Sequence, residues 1–256
     1  MILSEMNLVE KILQGDPGST AKLISKIEDE PGTDFEEIRI LEAKGTSAYT
    51  VGITGSSGVG KSSLIARLIE QYRKNNKKVA VLAIDPSSPF TGGAILGDRI
   101  RMQMHSLDEG VFIRSMATRG HLGGLSQAAA NTIKVMSAWG ADTVIVETVG
   151  VGQDEVEIIK VADTILVVLS PGSGDDIQMM KAGILEVGDI FVINKADRPE
   201  AENLKGTLES VNPGRKDEGW QPCVIETIAL KGSGIEELYE KIEEHRKYTR
   251  KKEDDK

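Results

Sequence analysis

Three features of this 256-residue chain predict a doubly wound α/β fold: a mainly parallel sheet of about seven strands, preceded by a helical extension. First, several short runs are almost continuously Val, Ile or Leu, as in Val79-Ala80-Val81-Leu82-Ala83-Ile84. Strands buried on both faces of a parallel sheet have that composition. Second, these runs alternate with longer stretches of helical periodicity, the pattern of βα units. Third, a glycine-rich loop joins the first run to the helix after it. In open sheets of this kind, ligands gather at the carboxyl ends of the strands.

Residues 1–45 read as helices. Leu3, Met6, Val9, Ile12 and Leu13 recur at helical spacing until Gly15-Asp16-Pro17-Gly18 breaks the pattern. Ala21, Leu23, Ile24 and Ile27 mark a second helix, and Phe35, Ile38, Ile40 and Leu41 a third. The expected role of these helices is packing onto the main domain. Strands are predicted at 50–54, 79–84, 111–115, 143–147, 164–169, 190–193 and 223–228. Helices are predicted at about 62–75, 121–139, 154–161, 176–187 and 233–247. The expected organisation is a helical extension over 1–45, a main domain over 46–246 and a charged tail over 247–256.

Composition narrows the function. Apolar residues make up 39% and charged residues 28%, a globular balance. The net charge of −9 disfavours a nucleic-acid surface. No segment is long and apolar enough for a membrane span, and the start lacks the layout of a signal peptide. A single cysteine, Cys223, points to a reducing, cytoplasmic setting. It lies in an apolar strand and is expected to be inert core.

The loop itself is Gly55-Ser56-Ser57-Gly58-Val59-Gly60-Lys61-Ser62, a G-x-x-x-x-G-K-S sequence between strand and helix. Glycines there let successive backbone N–H groups turn inward on phosphate oxygens. The helix N-terminus adds partial positive charge. Ser57, Gly58, Val59, Gly60, Lys61, Ser62 and Ser63 form the expected phosphate-binding stretch. Lys61 would reach the β- and γ-phosphates, and the Ser62 hydroxyl would bind magnesium.

Asn194-Lys195-Ala196-Asp197 ends the strand Ile190-Phe191-Val192-Ile193. A carboxylate at Asp197 can accept hydrogen bonds from the N1–H and 2-amino groups of guanine, a donor pair that adenine lacks. A wrong base would leave polar groups unpaired, so the preference is for GTP over ATP. Lys195 would lie over the base, and Asn194 would tie the segment to neighbouring loops. In Thr227-Ile228-Ala229-Leu230-Lys231-Gly232, Ala229 or Leu230 is expected to offer a backbone N–H to guanine O6.

Val144-Ile145-Val146-Glu147-Thr148-Val149-Gly150 places a carboxylate at a buried strand's tip with glycine three residues on. Glu147 would enter the magnesium shell, and Gly150 would offer its N–H to the γ-phosphate. With Lys61 they form the expected catalytic set. Asp85, closing another strand, and Asp98 join Ser62 and Glu147 as expected metal ligands. Gln153 and Glu155 are candidates for orienting water. The chain's His residues are too scattered for a metal site, and His121, between glycines, reads as structural. The basic cluster Arg73-Lys74…Lys77-Lys78 reads as a solvated helix end.

Taken together, GSSGVGKSSL, LAIDPSSPFTGGAILGDRIRM, ATRGHLGGLS, ETVGVGQDE, SPGSGDDIQMMKAGILE and NKAD resemble the methylmalonyl-CoA mutase-associated GTPases of the MeaB/ArgK type, a SIMIBI-class P-loop family. The resemblance spans about residues 47–245. It implies a GTPase chaperone that gates loading or repair of cofactor in an adenosylcobalamin-dependent acyl-CoA mutase. It also implies switches at Asp98–Met102, Glu147–Glu155 and Gly172–Lys181. Lys61, Ser62, Asp85, Asp98 and Glu147 carry over as the phosphate and magnesium set, and Asn194, Lys195 and Asp197 as the guanine set. Ser56-Ser57 stands where the family often has proline. The family's C-terminal helical arm, which builds a homodimer, does not follow in this sequence, so the expectation is a monomer or a dimer through another surface. The alternatives are a P-loop kinase, a nickel-insertion-type GTPase and a nucleotide-dependent binding module. One Cys and three His disfavour the nickel reading, and a guanine-reading Asp197 disfavours the kinase.

Overall fold

The computed structural model describes residues 2–85, 105, 107–117, 122–148, 161–172, 186–211 and 219–254. Among these residues seven strands run β1 Tyr49–Thr54, β2 Val79–Asp85, β3 Val111–Ala117, β4 Thr143–Thr148, β5 Thr164–Leu169, β6 Ile190–Asn194 and β7 Cys223–Thr227. They are ordered β3-β2-β4-β1-β5-β6-β7, and the pairs β1·β5, β2·β3, β5·β6 and β6·β7 are parallel. The α/β class, the strand number and the strand positions match the sequence reading. The helices predicted at 154–161 and 176–187 lie outside the described residues except at their last positions.

The chain divides into two compact units. The first comprises Met1–Thr50 and Arg73–Val146. Its helices α1 Ile2–Leu13, α2 Pro17–Asp29 and α3 Glu36–Ala43 pack on one another, and all three contact a long helix at Leu122–Ala138. Asp16 starts α2 by accepting the Ser19 N–H at 2.6 Å, with Pro17 in the first turn where its missing N–H costs nothing. Leu23, Ile24 and Ile27 form the buried stripe of α2. Glu28, also on α2, accepts from Arg114 Nη2 at 2.9 Å and from the Ala117 N–H at 3.2 Å, so it holds the carboxyl end of β3. The register of β2 on β3 runs from Val79↔Val111 to Asp85↔Ala117.

The second unit comprises Val51–Tyr72 and Glu147–Lys256. It contains α4 Lys61–Lys74 as far as Tyr72. With the helix of the first unit at Leu122–Ala138 numbered α5, it also holds α6 Ala201–Val211 and α7 Ile235–Asp254. Val167, Leu169, Phe191 and Ile193 of β5 and β6 pack with Ala201 and Leu208 of α6. The final helix runs well past the predicted end at 247, through the charged segment to Asp254. Its apolar stripe explains the continuation: Ile235, Leu238, Ile242 and His245 are buried at helical spacing, and α7 contacts β5 and β7. His245 Nδ1 lies 2.7 Å from Thr164 Oγ1, and its ring meets Trp220 edge-on. No helix among the described residues is long and apolar enough to cross a membrane.

Candidate nucleotide site

Within the second unit, the turn between β1 and α4 takes its shape from three glycines at positive φ: Gly55 (148°), Gly58 (77°) and Gly60 (101°). Two of them are also demanded by close neighbours. A Cβ on Gly55 would overlap the Val168 carbonyl, and a Cβ on Gly60 would overlap Asn194 Nδ2. Ser57 and Gly58 are exposed at the tip, whereas Ser56 and Val59 are buried. Lys61, Ser62 and Ser63 form the first turn of α4, where backbone N–H groups lack helical partners. The Lys61 side chain is only 6% exposed; its ammonium donates to Gly55 O at 2.5 Å and Ser56 O at 3.1 Å. A full positive charge is thereby fixed beneath the loop.

Glu147, next to last in β4, is buried, and its Oε1 accepts from Ser62 Oγ at 3.0 Å. Two hard oxygen donors thus meet at the start of α4 and could share a divalent cation. Among the described residues there is no cluster of three or more His, Cys, Asp or Glu side chains of metal-holding geometry. Magnesium does not demand one, because it usually binds one or two carboxylates plus phosphate and water.

The segment after β6 is tied to this loop by two side chains. Asn194 is 2% exposed; its Nδ2 donates to Val59 O at 2.8 Å. Its Oδ1 accepts from Ala229 N at 3.1 Å and from Thr227 Oγ1 at 3.2 Å. Lys195 has φ 60°, the left-handed conformation that is uncommon outside glycine. Its Nζ donates to Gly58 O at 2.6 Å. Asp197 is solvent-facing and pairs with Lys231 Nζ at 3.0 Å. That hydrogen bond holds its carboxyl below the usual aspartate range.

The turn after β7 is closed by its own backbone. Ile228 bridges Ser233, and Lys231 N donates to Ile228 O at 2.8 Å. Gly234 has φ 75°, and a Cβ there would overlap the Glu226 carbonyl. Of the two N–H groups that the sequence offers for a purine carbonyl, the one on Ala229 is already bonded to Asn194. Leu230 stands 81% exposed at the tip.

The structure therefore brings together the phosphate stretch, Glu147, Asn194, Lys195, Asp197 and the 229–230 turn. Asp85 closes β2 in the first unit, in register with Ala117. Asp98, Gly150, His121, Gln153 and Glu155 lie outside the described residues. Two bland expectations are corrected. Cys223 opens β7 only partly buried rather than in the core, and burial still raises its thiol pKa. Arg73 is no freely solvated helix end: it donates to Asp108 Oδ2 and to Lys77 O, both at 2.9 Å, and Lys78 lies over the Trp139 ring at 5.2 Å. One site residue had no sequence signal. Arg67 of α4 donates to Ala229 O and Leu230 O, each at 3.1 Å. Nothing in a helix-surface arginine announces which loop it will meet.

A solved structure of an LAO/AO transport system kinase superposes with TM-score 0.75 at 27% identity, covering 96% of this chain and 76% of that one. A protein of Pyrococcus abyssi named as a GTPase is 52% identical over 245 residues, 94% of this chain and 76% of its own length. The GTPase ArgK of Escherichia coli is 37% identical over 253 residues, 94% of this chain and 76% of its own length. The family model described as methylmalonyl-CoA mutase-associated GTPase MeaB matches residues 21–256, and the chain belongs to that family.

Proposed function

We propose that this MeaB-family GTPase binds GTP with magnesium, hydrolyses it slowly, and uses the cycle to gate adenosylcobalamin loading or repair in a methylmalonyl-CoA mutase-type acyl-CoA mutase. The observation that carries the guanine reading is the bridge made by Asn194. One buried amide joins the phosphate loop at Val59 to the turn at Ala229, which sets the distance between a phosphate grip and a purine grip. The family's association with the mutase supports the partner.

Each residue has a definite task in this reading. N–H groups of Ser57 to Ser63 and the buried Lys61 ammonium neutralise phosphate oxygens, the main requirement of phosphoryl transfer. Ser62 and Glu147 fit a magnesium ion through their hydroxyl and carboxylate oxygens, with Asp85 and Asp98 as the remaining expected acids. A magnesium ion held there would supply charge neutralisation to the phosphate oxygens. Gly150 offers its N–H to the γ-phosphate. Asp197 reads the N1–H and 2-amino edge of the base, and Lys195 covers its face. Water attacks the γ-phosphorus in line and GDP leaves.

Calorimetry in magnesium buffer tests the base reading: GDP should bind much more tightly than ADP, and equal affinities would end it. Hydrolysis of GTP is then timed with and without a cobalamin-dependent mutase. A slow rate that the mutase raises is expected, and a rate indifferent to it would count against the partner. Label from the γ-phosphate recovered on a third molecule instead of as free phosphate would point to a kinase.

A further inference from the structure

In the turn that follows β7, four of the five backbone N–H groups over 228–232 have an acceptor among the described residues. Ile228 N–H bonds Ser233 O, Ala229 N–H bonds Asn194 Oδ1, Lys231 N–H bonds Ile228 O, and Gly232 N–H bonds Ala229 O. Across 228–232, the Leu230 N–H alone has no acceptor among the described residues. It belongs to the same peptide unit as the Ala229 carbonyl. In a trans peptide the N–H points opposite to the C=O, and there are no cis bonds among the described residues.

Arg67 holds that carbonyl. Its Nε donates to Ala229 O and its Nη2 to Leu230 O, both at 3.1 Å, so the fork grips two successive carbonyls. Its Nη1 is steadied by Glu70 at 3.1 and 3.0 Å. Two consequences follow. The Ala229–Leu230 peptide cannot flip without breaking charge-assisted bonds, so its N–H direction is fixed away from α4. A cation on the oxygen also polarises the peptide and strengthens its N–H as a donor. A lysine could not reproduce the planar two-point grip.

We infer that Arg67 is a specificity-determining positioning residue: it aims and strengthens the Leu230 N–H for a purine 6-carbonyl. This rests on the guanine reading above and names how the O6 half of that recognition is held. Arg67 itself touches no nucleotide in this scheme and acts through the peptide it clamps.

The test is a cycle between side chain and ligand. Wild type, Arg67→Ala, Arg67→Gln and Arg67→Lys are titrated with GDP, with 2-aminopurine riboside 5′-diphosphate, which keeps the 2-amino group but lacks O6 and the N1–H, and with ADP. Wild type should prefer GDP over the aminopurine nucleotide by about tenfold or more, the scale of a polar group left unpaired. In Arg67→Ala and Arg67→Gln, GDP should weaken about tenfold while the aminopurine nucleotide is nearly unchanged, so the preference falls by that factor and what remains belongs to the N1–H that Asp197 reads. Arg67→Lys should recover only part of it, and Glu70→Ala should show a milder loss of the same kind. Equal weakening of both nucleotides would make Arg67 a general scaffold and overturn the inference, as would an unchanged preference or a wild type indifferent to O6. A wild type that cannot tell GDP from ADP would sink the guanine reading instead. Should Arg67→Ala fail to fold, Arg67→Gln and Glu70→Ala carry the comparison alone.

Discussion

Replacing Asn194 with alanine should destabilise the protein even with no nucleotide present. The side chain is 2% exposed and makes three hydrogen bonds, to Val59 O, Ala229 N and Thr227 Oγ1. Truncation removes all three and strands two backbone groups. Val59 is itself 1% exposed and Ala229 3%, so water reaches the abandoned carbonyl and N–H poorly. A buried backbone group left unpaired costs about 1–3 kcal/mol. Two such groups give roughly 2–6 kcal/mol, and the freed Thr227 hydroxyl can turn to a new partner, so about 3 kcal/mol is the working figure. For a chain of this size that lowers the melting midpoint by roughly 6–12 °C. The assay is circular-dichroism melting of wild type, Asn194→Ala and Asn194→Ser. A shift of under about 2 °C for the alanine variant would mean that water satisfies the two groups, and the supposed bridge between loops would carry no strain.

Other perturbations separate the remaining roles. Gly60→Ala forces a side chain into Asn194 Nδ2 at φ 101°, so it should lose about 1–3 kcal/mol of stability in thermal melts and weaken GDP binding, with no change expected if the loop simply rearranges. Glu147→Gln keeps an acceptor for Ser62 but removes the charge, so it should lower magnesium-dependent GTP affinity about tenfold and leave magnesium-free GDP affinity nearly intact in calorimetry. Asp197→Asn replaces two acceptors with one acceptor and one donor, so competition binding should show xanthosine diphosphate gaining on GDP by about tenfold or more. The Asp197 carboxyl lies below its usual value because Lys231 donates to it, so the ionised form persists as pH falls through about 3.9 and is lost only lower. The stabilisation from the pair is present above that value and disappears as pH drops through the lowered one. In Lys231→Ala, a carbon-13 titration of the carboxyl should move back up toward about 3.9, and no movement would discard the assigned cause.

The sheet was legible because strands buried on both faces leave no room for polar alternation. Val79–Leu82 and Leu166–Leu169 are fully buried, and the sequence shows them as unbroken apolar runs. The loop at Gly55–Ser62 was legible because its backbone demands glycine at fixed places, and a backbone demand leaves a mark on sequence. The end of α7 was not. Its outer face is so rich in Glu, Lys and Arg that it reads as a solvated tail, while its continuation rests on an inner stripe that includes His245, which contacts such as those with Thr164 and Trp220 make a core residue. Arg73 was misread for the same reason: an arginine at a helix end looks solvated until Asp108, far along the chain, is seen beside it.

The choice between Ala229 and Leu230 shows what kind of information the sequence withholds. Both are apolar residues in a turn, and nothing in either side chain ranks one N–H above the other. The ranking comes from hydrogen-bond accounting, because each N–H can serve one good acceptor and Asn194 has already claimed Ala229. The same accounting gives Arg67 its importance, since it occupies the opposite side of the peptide that remains. Asn194 and Arg67 therefore work as a pair on one turn: the amide consumes one donor and the guanidinium orients the next. If that is right, their effects on the preference for GDP over its O6-lacking analogue are not independent. Asn194→Ala should release the Ala229 N–H, which can then serve O6 in place of the Leu230 N–H. Adding Arg67→Gln to it should then cost much less than Arg67→Gln costs in the wild-type background. Fully additive losses would show that the two side chains hold different things, and the turn would have to be regarded as two sites instead of one.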